Sequence, residues 1–196
     1  GLITRLSLSK PKNTLSKAYL GDLGPSILTE EQHQKLHPYL HYRPLTEPKQ
    51  VIFLAVPHKG SRLAGGFIGW CTDRLIAIPN ILIKETIGVL LPREQSNLPK
   101  HTLKLLTDGE TAVNQLEPDN PSLLALNEMQ LPKQVKVHSI IGDISLPAFR
   151  LCSDGVVSYK SSCLKGIGTE TIVPSNHDIT DAPKAIQRVI QILRSK

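Results

Sequence analysis

Two short segments near the end of the sequence carry side chains that could cooperate in acid–base chemistry. The first runs from Ser153 to Val157 and the second from Pro174 to His177, and each follows a stretch with the pattern of a β-strand. Loops that follow neighbouring parallel strands meet at the carboxyl edge of a sheet, so Asp154 and His177 could interact there. A histidine oriented by a carboxylate is the general base of a serine hydrolase. The G-x-S-x-G motif that carries the nucleophile of such enzymes does not occur in the sequence.

Other residues compete for these roles. Asp143 directly follows another predicted strand, so spacing alone leaves the choice of the acid open. Ser61, with His58 close in sequence, is a second candidate nucleophile, although a serine before a predicted helix is more typical of an N-cap. Cys71 and Cys163 are poorer nucleophile candidates because neither has a partner at a predicted strand end.

Three short runs with many β-branched residues predict strands. They cover residues 51–56, 135–141 and 169–173, and proline or glycine follows each of them. The run over residues 51–56 is continuously apolar, which is typical of a strand buried on both faces, as in a parallel sheet.

The spacing of apolar residues predicts helices between these strands. One begins at the first residues, one starts at Thr29 with a capping box to Gln32, and others cover residues 62–77, 80–91, 109–116 and 121–130. The last covers residues 181–194, with Asp181 as N-cap. Its expected apolar face contains Ala185, Ile186, Val189, Ile190 and Leu193.

This alternation predicts an α/β domain with a doubly wound, mostly parallel sheet. At 196 residues the chain fits one domain. About eighty residues separate the first two strands, which exceeds one crossover helix. Residues 62–131 are therefore predicted to include a helical cap or lid at the carboxyl edge of the sheet.

Charge and composition exclude several classes of protein. The chain has 23 Lys and Arg against 17 Asp and Glu, a net charge of +6, but the basic residues are scattered. Without a basic stripe the sequence does not predict nucleic-acid binding, whereas weak contact with an anionic membrane surface stays open. No uninterrupted apolar run is long enough to span a bilayer.

The cysteines predict neither a disulfide framework nor a metal centre. There are three, Cys71, Cys152 and Cys163, and no C-x-x-C spacing. Reduced thiols are the default expectation, while a bridge between Cys152 and Cys163 stays open. The sequence has no signal-peptide pattern, and nothing in it fixes the compartment.

Taken in order, these segments resemble the C-terminal part of an α/β-hydrolase of the lipase and esterase type. The resemblance is to the bacterial PGAP1-like and serine-esterase groups. Val51–Ser61, VIFLAVPHKGS, is similar to the strand and T-P-H-R-G-S turn of that family. His138–Asp143 and Ser153–Leu164 are similar to its strand and acid loop, and Ile172–His177 is similar to its histidine loop. The match covers nearly the whole chain.

The resemblance implies an incomplete α/β-hydrolase domain over residues 1–196 that lacks its N-terminal half. It makes Asp154 the triad acid and His177 the base. Gly1 would be a glycine at the end of the nucleophile elbow, with the serine a few residues before it. This implies hydrolysis of small-molecule or lipid carboxylic esters without a cofactor or metal, by a longer chain than this one.

The sequence departs from the family pattern beside the inferred site. Val56 stands where threonine is usual, and Asn176 where glycine commonly precedes the histidine. A non-catalytic binding domain is therefore one alternative, and an acyltransferase or amidase with the same triad is another.

Overall fold

The computed structural model describes residues 1–61, 97–108, 116–145, 152–164, 166 and 168–195. The predicted helices at 62–77 and 80–91 lie outside these ranges, as do Cys71 and all of the predicted helix at 109–116 except Leu116.

Three parallel strands form the sheet. They are β1 (Gln50–Leu54), β2 (Lys136–Gly142) and β3 (Thr169–Val173), in the spatial order β1-β2-β3. The three predicted strands are thus confirmed. β1 ends earlier than predicted because Ala55 adopts a left-handed backbone with φ of 47°, although its N–H still donates to the Ile140 carbonyl at 3.0 Å.

Helices surround the sheet in the described ranges. They are α1 (Leu2–Leu8), α2 (Thr14–Leu20), α3 (Glu30–Leu40), α4 (Lys100–Asp108), α5 (Pro121–Glu128), α6 (Tyr159–Ser162) and α7 (Pro183–Arg194). Short 3-10 turns cover Gly21–Ile27 and Ile179–Asp181. The capping box between Thr29 and Gln32 is present at the start of α3, as predicted. The sequence did not predict α2, α4 or α6.

Both faces of the sheet are covered, which confirms an α/β architecture. On one face, β1 and β2 contribute Phe53 and Val137 to a core cluster that includes residues of α1, α2, α3 and α5. α5 packs into this cluster against α2. On the other face, Ile140 and Val173 pack with Ala185 and Ile192 of α7. Coverage of both faces agrees with the apolar sequence of β1 from Val51 to Leu54, whereas β3 is exposed at Thr169, Glu170 and Ile172.

α7 meets the sheet through a narrower side than its sequence pattern predicts. Ala185 and Ile192 are buried, whereas Ile186, Ile190 and Leu193 are between 42 and 68% exposed. A single helix contacts the sheet along one line, so only residues on that line are covered. The N-cap is Ala182 rather than Asp181, which lies in the preceding 3-10 turn. In the described ranges, no helix combines the length and apolarity needed to cross a membrane.

Candidate functional site

Asp154 and His177 meet beyond the carboxyl ends of β2 and β3. The imidazole Nδ1 of His177 lies 2.7 Å from Oδ2 of Asp154. The Asp154 side chain is 1% exposed and that of His177 is 15% exposed. A buried carboxylate therefore holds an imidazole that solvent can still reach.

The loop around Asp154 fixes the direction of its carboxylate. The Asp154 Oδ1 atom accepts hydrogen bonds from the backbone N–H groups of Val156 at 2.9 Å and Val157 at 2.6 Å. Gly155 allows this tight turn, with φ of 93°, and a bridge between Ser153 and Ser158 closes it. With Oδ1 engaged by the backbone, Oδ2 is left to face His177. The buried carboxylate thus has polar partners on both oxygens, as burial of such a group requires.

Gly142 lets the acid loop and the histidine loop approach each other. A Cβ atom at this last residue of β2 would lie 2.7 Å from the Ser175 carbonyl oxygen and 2.9 Å from the Asp154 Cβ. It would also lie 3.1 Å from the Asn176 carbonyl oxygen. The sequence shows Gly142 only as a strand end, and its role in the site depends on contacts more than ten residues away.

The histidine loop is also shaped by its own side chains. Asn176 accepts a hydrogen bond at Oδ1 from the backbone N–H of Asp178, at 3.2 Å. This is an Asx turn, which bends the chain next to His177. The asparagine that departs from the resemblance thus has a structural function at this position.

Asp143, the rival acid, bonds to its own loop instead. Its Oδ1 accepts hydrogen bonds from the Ser145 hydroxyl and from the Ser145 backbone N–H, the latter at 2.8 Å. These bonds, led by the one from the hydroxyl, lower the pKa of Asp143. The carboxylate that contacts Nδ1 of the His177 ring is that of Asp154.

The turn after β1 is tied to the acid loop. Ser61 donates from Oγ to the Val156 carbonyl at 2.5 Å, so it holds the peptide whose N–H binds Asp154. Ser161 donates from Oγ to the Gly60 carbonyl at 2.6 Å and accepts from the Lys59 N–H at 3.3 Å. Ser61 is thus positioned as a support for the acid loop.

His58 is buried without hydrogen bonds. Its ring is fully covered and edge-on to Phe53, at a centroid distance of 4.7 Å, and neither ring nitrogen has a hydrogen-bond partner. Burial, followed by the positive charges of residues such as Arg5 and Lys59, lowers the pKa of His58 to about 3. Ser61 and His58 therefore do not form the hydrogen-bonded pair that the sequence left open.

A separate cavity of about 720 Å³ lies beside α1 and the end of α5. Its lining includes Arg5, Lys59 and Met129, and does not include Asp154 or His177. The Arg5 guanidinium donates to the Leu126 carbonyl at 2.9 Å and to Asn127 at 3.0 Å, in the last turn of α5. A cation at a helix C-terminus interacts favourably with its dipole, so these contacts account for the buried charge.

The two described cysteines, Cys152 and Cys163, are both free thiols. Cys152 is exposed and Cys163 is half-buried. Within the described ranges, no three His, Cys, Asp or Glu side chains group in a way that could hold a metal ion.

Comparison of the chain with protein-family models, with curated proteins and with solved structures gives no match. With Nδ1 engaged by Asp154, the ring of His177 can exchange a proton through Nε2, and the carboxylate stabilises the imidazolium that results. The pair has the arrangement of a general base and its orienting acid.

A Gly142→Ala substitution tests the approach of the two loops. The added methyl overlaps the Ser175 carbonyl and Asp154, so we expect the free energy of unfolding to fall by about 1–3 kcal/mol. We also expect loss of the downfield ¹H NMR signal of the His177 Nδ1–H. The control is Gly24→Ala, where φ is 56° and no atom lies within 4 Å of the added Cβ. It should cost only backbone strain and keep the signal; an unchanged signal in Gly142→Ala would contradict this account.

Burial of neutral His58 predicts acid sensitivity. Its folded-state pKa lies below the value of about 6.5 expected in the unfolded chain, so its contribution is intact above pH 6.5. Below pH 6.5 the unfolded state binds the proton first, and stability falls by about 1.4 kcal/mol per pH unit until about pH 3. Urea unfolding measures this effect. Between pH 7 and pH 5 the free energy of unfolding of wild type should fall by about 2 kcal/mol more than that of His58→Leu. Identical pH dependence of both proteins would show that His58 is not buried neutral.

Proposed function

We propose that this chain is the C-terminal part of an α/β-hydrolase that cleaves carboxylic esters, with Asp154 as triad acid and His177 as base. The observation that carries the proposal is the 2.7 Å contact between the two side chains at the carboxyl edge of a parallel sheet. A buried carboxylate with backbone donors on one oxygen and an imidazole on the other is what a Ser-His-Asp system requires.

The start of α1 supports a nucleophile supplied from before Gly1. α1 begins at Leu2, and a Cβ on Gly1 would overlap both methyl groups of Val56, just past the end of β1. Residue 1 thus lies against the carboxyl edge that also carries the loops of Asp154 and His177. In an α/β-hydrolase the nucleophilic serine occupies the sharp turn between a strand and a helix at this edge. A serine shortly before Gly1 would therefore approach the histidine from the β1 side.

The proposed reaction proceeds in two halves. The serine hydroxyl attacks the acyl carbon while His177 takes its proton, and the imidazolium returns that proton to the departing alcohol. Water then attacks the acyl-enzyme with His177 again as base, which releases the carboxylic acid and restores the serine. Asp154 keeps the ring in one tautomer and stabilises its charged form throughout.

Small-molecule or lipid esters are the proposed substrates. The net charge of +6 would favour approach to an anionic membrane surface, where lipid esters are presented. Residues 62–131 are proposed to include the helical cap beside the site, of which residues 62–96 and 109–115 lie outside the described ranges. No cofactor or metal is needed for this chemistry.

The test is ester hydrolysis by a chain extended upstream of Gly1. We expect turnover of p-nitrophenyl esters, with kcat lowered about 10⁶-fold in His177→Ala and about 10⁴-fold in Asp154→Asn. Asp143→Asn is the matched control, because it removes a carboxylate from the same sheet edge, and it should keep nearly full activity. Full activity in His177→Ala would disprove the site. An extended chain without a serine in a G-x-S-x-G turn would favour a non-catalytic binding domain. Acyl transfer or amide cleavage without ester hydrolysis would favour an acyltransferase or amidase that uses the same triad.

The same assay separates a supporting function of Ser61 from a nucleophilic one. Ser61→Ala removes the hydrogen bond to the Val156 carbonyl, which costs about 1–3 kcal/mol of stability when a buried acceptor is left unpaired. We expect a measurable but reduced kcat and an intact burst of p-nitrophenol, since the acyl-enzyme can still form. Complete loss of the burst in a folded Ser61→Ala protein would instead identify Ser61 as the nucleophile.

A further inference from the structure

α3 and its C-cap residue carry a row of histidines unrelated to the site above. His33, His37 and His41 follow one another at intervals of four residues, so their side chains lie on one side of the helix. Neighbouring rings of the row lie close together: the centroids of His33 and His37 are 5.6 Å apart, and those of His37 and His41 are 4.8 Å apart. His37 is exposed and the other two are partly exposed.

The spacing of His37 and His41 fits a shared metal ion. Imidazole nitrogens bind Zn²⁺ at about 2.0–2.1 Å, so two rings on one ion with ligand angles of about 90–110° have centres ~4.5–5.2 Å apart. The 4.8 Å between His37 and His41 lies within this range, and the 5.6 Å between His33 and His37 lies outside it. Two histidines four residues apart on a helix are also the spacing used by helical zinc sites.

The surroundings of His41 resemble those of a metal ligand. The backbone of Lys12, in the connection between α1 and α2, lies next to the His41 ring. Metal-ligating histidines commonly lie beside a backbone carbonyl that accepts from one ring N–H, which fixes the tautomer and leaves the other nitrogen to bind the ion. His41 also caps the C-terminus of α3, where the helix dipole favours a positive charge.

We propose that His37 and His41 form a binding site for a divalent transition-metal ion such as Cu²⁺, Ni²⁺ or Zn²⁺. Imidazole suits these ions, and Cu²⁺ is expected to bind most tightly. In the described ranges no third His, Cys, Asp or Glu joins this pair in a group that could hold a metal ion, so the proposed protein ligands are these two imidazoles. The ion would join the last turn of α3 to the Lys12 loop through His41.

The test is titration of the whole chain with CuCl₂ or ZnCl₂ alone, followed by calorimetry in a non-coordinating buffer. We expect binding of one ion, and at least a tenfold loss of affinity in both His37→Gln and His41→Gln. His101→Gln, on α4 and outside this row, is the matched control and should bind as wild type does. His37 is exposed, so its variant should fold normally, which the far-UV circular dichroism spectrum checks.

Two further measurements make the outcome decisive. The electron paramagnetic resonance spectrum of the Cu²⁺ complex should show coupling to imidazole nitrogens in wild type that is lost in His37→Gln. His33→Gln should keep the affinity within about threefold, since its ring lies outside the chelating distance. Absence of binding, or binding unchanged in both His37→Gln and His41→Gln, would overturn the proposal. A loss in His33→Gln and His37→Gln but not in His41→Gln would overturn the assignment to His41.

Discussion

The buried carboxylate of Asp154 is the constraint on which the rest of the site depends. A charge that is 1% exposed is costly unless hydrogen bonds replace its lost water. The N–H groups of Val156 and Val157 satisfy one oxygen and the ring of His177 meets the other. Because each bond requires a particular backbone position, satisfying the charge also fixes the shape of two loops.

Residues at the ends of β1 and β2 hold these two loops in place. Gly142, at the end of β2, has no side chain, so the Asp154 loop and the His177 loop can both approach its Cα. Ser61 holds the acid loop through the Val156 carbonyl, so the turn after β1 supports the carboxylate without touching it. Ends of all three strands thus contribute to one hydrogen-bonded unit. This explains how a sheet of only three described strands can position a polar pair closely.

Two histidines near the same sheet edge illustrate how environment separates structural from chemical roles. His58 is fully covered, lies edge-on to Phe53 and is kept neutral by burial and by nearby positive charge. His177 is partly exposed and has a carboxylate on its ring. Only the second environment provides both an orienting group and access to solvent, which a general base needs.

The sequence predicted the features that depend on local pattern. Short runs with many β-branched residues predicted the three parallel strands, and the Thr29 capping box predicted the start of α3, because both signals lie within a few residues. Residue spacing could not choose between Asp143 and Asp154, since that choice depends on which carboxylate the distant loop of His177 reaches. It also missed α2, whose Leu15 and Tyr19 are buried by tertiary packing within a polar segment, and it overestimated the buried face of α7.

The central claim is that Asp154 and His177 activate a serine supplied from before Gly1. Its most direct test is mass spectrometry of the extended chain after reaction with a fluorophosphonate, which labels only a serine activated by a neighbouring base. The account predicts one phosphonylated serine in the segment that precedes Gly1, with labelling abolished by His177→Ala. A label on Ser61, or equal labelling with and without the imidazole of His177, would contradict it.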